Sequence, residues 1–514
     1  MIKKFFSSRF FIFFIVTFVC IFTYTQTTSL RLTSANFGND GGDFLAAILT
    51  KGIPHPTGYP TYTVLGILFQ KIPFGDEYFR VAMLSWLPAA LSAGLLYLWL
   101  LEFLRDKPKQ IASICAILGS LVWGFLPFIW SQAIIIEVHG LQALFLVLSI
   151  GWIWLLLNHH NHKRPVCLLI LAFNYGLSLG NHITIFFTLP IIFASFIQAR
   201  KNQLPIKTLF LQIFLVILGS SIYLYLPLRA AHFPPINWGN PQSWEGFIWV
   251  ISGGPYQNLL TGVSPSQVFT RISALAGILI NQFGVIGVIF AVIGVFHYQH
   301  KSKIFSFGLI YLFFISSIFA ILYATDDSIT YLLSAFLVFT LWIVFALELL
   351  LTFDHRNLPI GKILVVIYLI FFIAKLPATV REIYPRSKTQ PADYAENALK
   401  QIPENAILLT TSDPDSFPLW YYHFGLGWRD DLRIIVLPLT QFRWYQETLS
   451  QIYTDLNYPS FIQQFSNNNQ NWGEAIPSLN PDRIVCRSNV DKFEMNLILV
   501  NCSNNMKFQF SIAD

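Results

Sequence analysis

The feature that most constrains this chain is a series of apolar runs, because a transmembrane helix needs about 20 consecutive, mainly apolar residues. Eleven such runs precede residue 378, although the fifth is short and the eighth contains Asn281 and Gln282. The first could be a signal peptide, but no small-residue cleavage pattern follows it, so we expect a retained helix. The predicted spans lie near 10–25, 81–103, 111–130, 140–157, 166–180, 183–199, 209–226, 273–297, 304–324, 329–351 and 363–378.

Composition agrees with a membrane protein. Of the 514 residues, 54% are hydrophobic and only 12% are charged, whereas soluble proteins carry about 25% charged residues. The net charge of +6 does not indicate nucleic-acid binding, because the basic residues lie between the apolar runs. We therefore expect the lipid bilayer as a partner and no nucleic acid.

The basic residues predict the orientation of the chain. With the N-terminus inside, fifteen Lys and Arg residues fall in cytoplasmic segments and six fall in the longer opposite loops. Cytoplasmic loops are usually richer in Lys and Arg. Eleven spans then place the tail outside.

Two domains are expected, a mainly α transmembrane domain at 1–378 and a soluble extracytoplasmic α/β domain at 379–514. The first would carry two long outer loops, 26–80 and 227–272. In the tail, the patterns predict helices at 392–400 and 445–453 and strands at 406–411 and 432–437, with two further strands in "RIVCRSNV" and "NLILVNC". Cys486 and Cys502 lie in these last two strands, where a disulfide could persist outside the cell.

With this orientation, many polar and ionisable side chains fall at outer helix ends or in outer loops. Each one has an ordinary explanation as a solvated loop residue or a helix cap. Together they indicate a functional site, because ionisable groups beside spans are expensive. They are Asp40, Asp43, His55, Glu137, His139, His182, Arg229, Asp326 and Asp327.

The segment "NDGGDF" supplies two candidates for a general base. Asp40 precedes two glycines in a turn. Asp43 begins a helix, and capping that helix would be a sufficient explanation for an acid at this position. We predict Asp40 or Asp43 as the catalytic residue. Candidate donor- or substrate-binding residues come from the other polar motifs: His55, Tyr59, Glu137, Asn181, His182, Arg229, Asn237 and Trp238.

These stretches resemble a known family. "DGGDFLAAILTKGIPHPTGYPTYTVLG", "IIEVHGLQALF", "LSLGNHIT", "YLYLPLRA…NWGNPQSWEGF" and "DPDSFPLWYYHFG" occur in the same order in the protein O-mannosyltransferase-like membrane family (domain of unknown function 2723). That family is similar to the GT-C superfamily of integral-membrane glycosyltransferases. The resemblance implies a polytopic GT-C fold, an extracytoplasmic site and a polyprenyl-phosphate sugar donor.

By the same resemblance, Asp40 matches the family's leading acid, and His55, His182 and Arg229 match family positions. Asp43 stands where Glu is commoner and His139 where Tyr is commoner, so His139 receives no catalytic role.

The expected reaction is an inverting transfer of a hexose such as mannose to a hydroxyl of an unknown acceptor, which could be protein, lipid or glycan. No cofactor is certain, and a divalent metal is possible because Asp and His are both present. The alternative is a transporter or flippase of lipid-linked sugars, which would favour charged residues near the bilayer midplane.

Overall fold

The computed structural model describes residues 9–158, 165–298, 303–352, 359–461, 472–490, 497–502 and 507–511. The N-terminal part is helical, and the tail combines helices with one sheet. The helices of the first part are α1 (Arg9–Thr27), α2 (Gly41–Thr50), α3 (Pro60–Phe69), α4 (Glu77–Phe103), α5 (Lys109–Gly124), α6 (Pro127–Ala133), α7 (His139–Leu157), α8 (Pro165–Leu179), α9 (Leu189–Lys201), α10 (Ile206–Ser220), α11 (Tyr225–Ala230), α12 (Trp244–Ile251), α13 (Pro265–Tyr298), α14 (Lys303–Leu322), α15 (Leu333–Thr352) and α16 (Ile360–Ile383).

Within the described residues, nine helical segments are long and apolar enough to cross a membrane. A tenth span results if α5 and α6 are counted as one helix bent by 56°, with Pro127 at the start of α6. These ten and the shorter apolar helix Val166–Leu179 correspond to the eleven predicted spans. At 1.5 Å per residue, Val166–Leu179 is only about 21 Å long, against a core about 30 Å thick. It still returns the chain to the face where α7 begins, because Asn181 after it donates to the Val138 carbonyl before α7.

The core of the bundle consists of α4, α7 and α15, whose side chains are mostly buried. In contrast, α10 exposes Phe210, Phe214 and Ile217, and α16 exposes Val366 and Ile370. Exposed apolar surface of this extent marks contact with a membrane.

One end of the bundle carries loop 26–80, loop 227–272 and the tail, and we call it the tail face. In the first loop, α2 and α3 are joined by a turn in which Ile53 forms a parallel bridge with Asn237 of the second loop. The turn passes very close to that loop, because a Cβ on Gly52 would lie 2.3 Å from the Ile236 carbonyl oxygen.

The tail contains α17 (Gln390–Gln401), α18 (Asp413–Trp420), α19 (Arg443–Ile452) and α20 (Trp472–Leu479), with β1 (Ile407–Thr410), β2 (Arg433–Val436), β3 (Val485–Val490), β4 (Leu497–Cys502) and β5 (Lys507–Ser511). The sheet order is β2-β1-β3-β4-β5. The first three strands are parallel to one another, and β4 and β5 are antiparallel additions.

All four predicted strands and both predicted helices of the tail are confirmed, whereas β5 was not predicted. Cys486 and Cys502 are opposite each other in β3 and β4 and form a disulfide. The tail is tied to the first loop by Arg31, which pairs with Asp393 and Glu396 of α17 at 2.7 Å each. The architecture is thus the expected one, mainly α with a small α/β domain.

Candidate active site

Asp43 is a fully buried carboxylate in the first turn of α2. Its Oδ2 accepts hydrogen bonds from the backbone N–H of His55 (2.8 Å) and from the His55 Nδ1 (2.7 Å). Its Oδ1 accepts one from the Trp238 Nε1–H (3.1 Å). The position of Asp43 at the helix start suggested a cap, but Asp43 does not cap the helix. Its oxygens instead accept hydrogen bonds from His55, in the turn after α2, and from Trp238 of the second loop.

His55 connects the two acids of the "NDGGDF" segment. Its Nδ1 faces Asp43, while its Nε2 lies 3.6 Å from the Asp40 Oδ2. Burial lowers the pKa of His55, but the charge of Asp40 and the hydrogen bond and charge of Asp43 outweigh it and raise the pKa to about 9. His55 is therefore a cation at neutral pH, held between two carboxylates.

Asp40 lies at the start of α2, but its side chain makes no capping hydrogen bond. Its side chain is 41% exposed, and this exposed part faces a cavity rather than open solvent. The surrounding protein raises the pKa of Asp40 by desolvation, His55 opposes the rise, and the charges of Asp43 and Asp327 add to it. A carboxylate with a raised pKa that faces a cavity can accept a proton from a bound ligand.

The cavity at Asp40 has a volume of about 580 Å³ and a mixed lining of polar and apolar residues. The polar lining residues are Asp40, His55, Tyr59, His182, Tyr256, Tyr323, Asp327, Tyr331 and Asp413. The apolar lining residues include Ile183, Phe186, Phe187, Leu259, Leu260 and Phe319, of which Ile183, Phe186 and Leu260 are exposed at the surface. No Lys or Arg occurs among the described residues that line it. The cavity can hold a ligand with one polar and one apolar part.

A smaller polar pocket of about 50 Å³ lies beside this cavity and shares Asp40, His55 and His182 with it. Glu137 lines it and is buried; burial, with the charge of Asp40, raises the pKa of Glu137 well above its usual value. Burial lowers the pKa of His182 to about 4. His182 is thus neutral at pH 7, with its Nδ1 hydrogen bonded to the Thr184 hydroxyl.

Several predicted binding residues lie outside both pockets. Asn181 is buried and donates to the Val138 carbonyl and to Gln142. Asn237 is buried in the second loop, and Trp238 reaches the site through its hydrogen bond to Asp43 and an edge contact with the His55 ring. These residues support the cavity walls and are not placed to contact a ligand in the cavity.

Arg229 lines a separate groove of about 550 Å³, together with Lys51, Lys71 and apolar side chains of α2 and α3. Its Nε–H donates to the Lys51 carbonyl (2.6 Å). This groove lies at the C-terminal end of α2, whereas Asp40 lies at the N-terminal end. Ten helical residues place the two ends about 15 Å apart.

The cavity also contains residues that were not predicted as site residues: Tyr256, Tyr323, Asp327, Tyr331 and Asp413. In the sequence, Asp327 is only one of several acids in the predicted outer loops. Asp413 begins "DPDSFPLWYYHFG", a motif that contributes to the family resemblance but does not indicate a role for Asp413. Desolvation by the protein around the cavity raises the pKa of Asp413 to about 7, with a further contribution from the charge of Asp40. No sequence signal places tail residues at the membrane site.

Among the residues that the structure describes, no group of three or more His, Cys, Asp or Glu side chains is arranged to hold a metal ion. The divalent metal that the Asp and His residues suggested remains a prediction.

Comparison with known proteins agrees with this architecture. Residues 40–205 match the protein O-mannosyl-transferase TMEM260 N-terminal domain, and residues 391–477 match TMEM260-associated domain 2. The chain is 23% identical over 496 residues to the protein O-mannosyl-transferase tmem260 of Dictyostelium discoideum, and 24% identical over 474 residues to TMEM260 of Mus musculus. These alignments cover 86% and 85% of this chain but 59% and 64% of the relatives. The chain thus spans about three fifths of the length of the curated relatives it matches.

Two solved structures share the fold. The oligosaccharyltransferase AglB of Archaeoglobus fulgidus, in complex with an inhibitory peptide and a dolichol-phosphate, matches with a TM-score of 0.55 at 13% identity, over 100% of this chain and 75% of that chain. ArnT of Cupriavidus metallidurans, bound to undecaprenyl phosphate, matches with a TM-score of 0.57 at 10% identity, over 93% and 92%. The predicted resemblance to protein O-mannosyltransferase-like proteins and the predicted GT-C fold are confirmed.

Proposed function

We propose that this chain, whose two matched regions are those of the TMEM260 protein O-mannosyl-transferases, transfers a hexose such as mannose from a polyprenyl-phosphate carrier to an acceptor hydroxyl. The observation that carries the proposal is the mixed lining of the cavity. Acidic and hydroxyl-bearing residues line it together with apolar residues that are exposed at the surface. A lipid-linked sugar has the same division, and the two structural neighbours were solved with polyprenyl phosphates.

In the proposed step, the acceptor oxygen attacks the anomeric carbon from the face opposite the phosphate, and the carbon–oxygen bond to the phosphate breaks. The acceptor proton passes to Asp40, and the electron pair of the broken bond leaves with the lipid phosphate. The configuration at the anomeric carbon is inverted. Because a phosphate is already a good leaving group, the step needs no general acid, unlike hydrolysis by paired carboxylates.

The leaving phosphate needs hydrogen-bond donors and positive charge. His55 supplies a positive charge, because its pKa of about 9 keeps it protonated. Tyr59, Tyr256 and Tyr331 also line the cavity, and each carries a hydroxyl that can donate a hydrogen bond. Asp43 acts as a positioning residue, because it holds His55 in place without reaching the cavity.

We propose that Arg229, with Lys51 and Lys71, contacts the carrier phosphate before the donor reaches the cavity, because the single phosphate of the donor lies beside Asp40 during transfer. The groove that they share is apolar with a cationic rim, which suits a lipid phosphate. The distance of about 15 Å along α2 separates this contact from the transfer step at Asp40.

The orientation expected from the basic residues completes the proposal. The N-terminus would lie in the cytoplasm, and the cavity and the tail would lie outside. All components of the site are on the tail face, so one orientation places them together.

The test uses the purified full chain in detergent, with synthetic polyprenyl-phosphate mannose and Ser/Thr-containing peptides as acceptors. We expect release of polyprenyl phosphate and formation of mannosyl peptide with inverted configuration. Asp40→Asn should reduce turnover by about 10²–10⁴-fold, which is typical for loss of a general base, and should leave donor binding intact.

Asp326→Asn is the matched control, because Asp326 neighbours a cavity residue in sequence but lines a different depression. A flippase would move the donor across a vesicle membrane without cleaving it. Movement without cleavage, or full turnover in both Asp40→Asn and Asp43→Asn, would refute the proposed reaction.

A further inference from the structure

The tail reaches the cavity through Asp413, the first residue of α18. The turn before this helix is held by a reciprocal cap, in which the Ser412 side chain bonds the helix start and Asp415 bonds the Ser412 backbone. Asp415 is fully buried and also accepts hydrogen bonds from Thr411 and from Ser488 of β3. The start of α18 is therefore fixed to the sheet of the tail.

The same helix is fixed to the membrane part of the site. A Cβ on Gly42 would lie 2.5 Å from the Phe417 carbonyl oxygen, so α18 rests directly on the backbone of α2. The Phe417 ring stacks on His55, with centroids 6.4 Å apart and planes 14° apart. The position of Asp413 relative to Asp40 is consequently set by packed contacts on both sides.

Asp413 differs from Asp415 in that its carboxylate has no partner among the described residues. It is exposed, and within the described part of the chain its side chain has no hydrogen bond or ion pair. Because the described cavity lining holds three aspartates and no Lys or Arg, repulsion disfavours Asp413 as a contact for the donor phosphate. A group that donates a hydrogen bond is the complementary ligand.

We propose that Asp413 binds the acceptor, accepting a hydrogen bond from an N–H or O–H group of an acceptor polypeptide beside the attacking hydroxyl. The tail thereby takes part in acceptor selection. This inference rests on the proposed transferase function and extends it by assigning the acceptor side of the cavity to a residue outside the membrane domain.

The test measures the full chain with polyprenyl-phosphate mannose and a Ser/Thr-containing peptide, comparing Asp413→Asn and Asp413→Ala with the wild type. Loss of one hydrogen bond to a charged group should raise the KM for the peptide by about 10- to 100-fold. The KM for the donor, and the slow hydrolysis of the donor without peptide, should stay unchanged. Asp430→Asn, at an exposed tail acid outside the cavity lining, should behave like the wild type.

An unchanged peptide KM in both Asp413 variants would overturn the inference, as would an equal loss of peptide transfer and donor hydrolysis. A wild-type protein that hydrolyses the donor but mannosylates no peptide would also overturn it, while leaving the proposed donor chemistry standing. If the wild type cleaves no donor at all, the proposed function itself fails.

Discussion

Replacing Asp43 with asparagine should disturb both the stability and the chemistry of the site, because three N–H donors converge on its two oxygens. Two belong to His55 and one to Trp238. An amide offers one acceptor oxygen, and its NH₂ group is itself a donor. Whichever way the substituted amide is oriented, its NH₂ group would face either Trp238 or both donors of His55.

The cost can be estimated from the structure. A hydrogen bond to a charged group contributes about 1.5–3 kcal/mol, and removal of one partner from a buried ion pair costs about 3–5 kcal/mol. Because Asp43 is fully buried and His55 is only 6% exposed, we expect a loss of about 3 kcal/mol of local stability.

The substitution should also change how the site responds to pH. The pKa of His55 is about 9 in the folded protein and about 6.5 in an unfolded chain. Its ion pairs therefore contribute stability that is complete below about pH 6.5 and is lost as the pH rises through about 9. Asp43→Asn removes one of the acids that raise this pKa, so the loss should begin at lower pH.

The assay compares thermal unfolding midpoints in detergent and transfer rates between about pH 6 and pH 10. Asp43→Asn should lower the midpoint and move the alkaline fall in activity from about pH 9 towards neutral pH. Asp40→Asn serves as the contrast, because it removes the Asp40 charge that also raises the pKa of His55 but no hydrogen bond in the described structure, so its midpoint should fall less than that of Asp43→Asn. If Asp43→Asn has the wild-type unfolding midpoint and loses activity at the same alkaline pH as the wild type, Asp43 does not position His55.

Other parts of the site can be tested separately. Gly42→Ala should reduce transfer strongly, because the added Cβ would collide with the backbone of α18. Gly41→Ala should be tolerated, since the atom nearest to its Cβ would lie 3.5 Å away. Equal activities of the two variants would contradict the docking of α18 on α2. Wild-type transfer should rise with pH through the elevated pKa of Asp40 and fall near pH 9 as His55 loses its proton, and His55→Gln should lack the alkaline fall. Arg229→Lys keeps the positive charge but loses the planar guanidinium that can donate two hydrogen bonds to one phosphate, so the KM for the donor should rise without a change in the KM for the peptide. An unchanged donor KM in Arg229→Ala would show that Arg229 has only a structural role. A reporter fused to the C-terminus should be active only outside the cytoplasm, and cytoplasmic activity would overturn the predicted orientation.

The elements of the fold were largely predictable because their signals are local. A run of apolar residues identifies a helix beside lipid whatever the rest of the chain does, and short apolar runs in the tail identified β1 to β4. The number of spans was harder to predict, because α8 is apolar like a span but shorter than the other spans. Neither β5 nor the 56° bend at Pro127 could be assigned from composition alone.

The sequence by itself determined that this is a membrane protein with acids and histidines collected on one face, and it singled out Asp40 and Asp43 as a pair. Only the tertiary structure separated their roles. The partners of Asp43 lie 12 and 195 positions away, and Asp413 reaches the cavity from the tail. A local pattern reports the preference of a segment for helix, strand or membrane. Whether a carboxylate is buried against donors or faces a cavity depends on which distant segments pack against it, and that is decided by the folded chain.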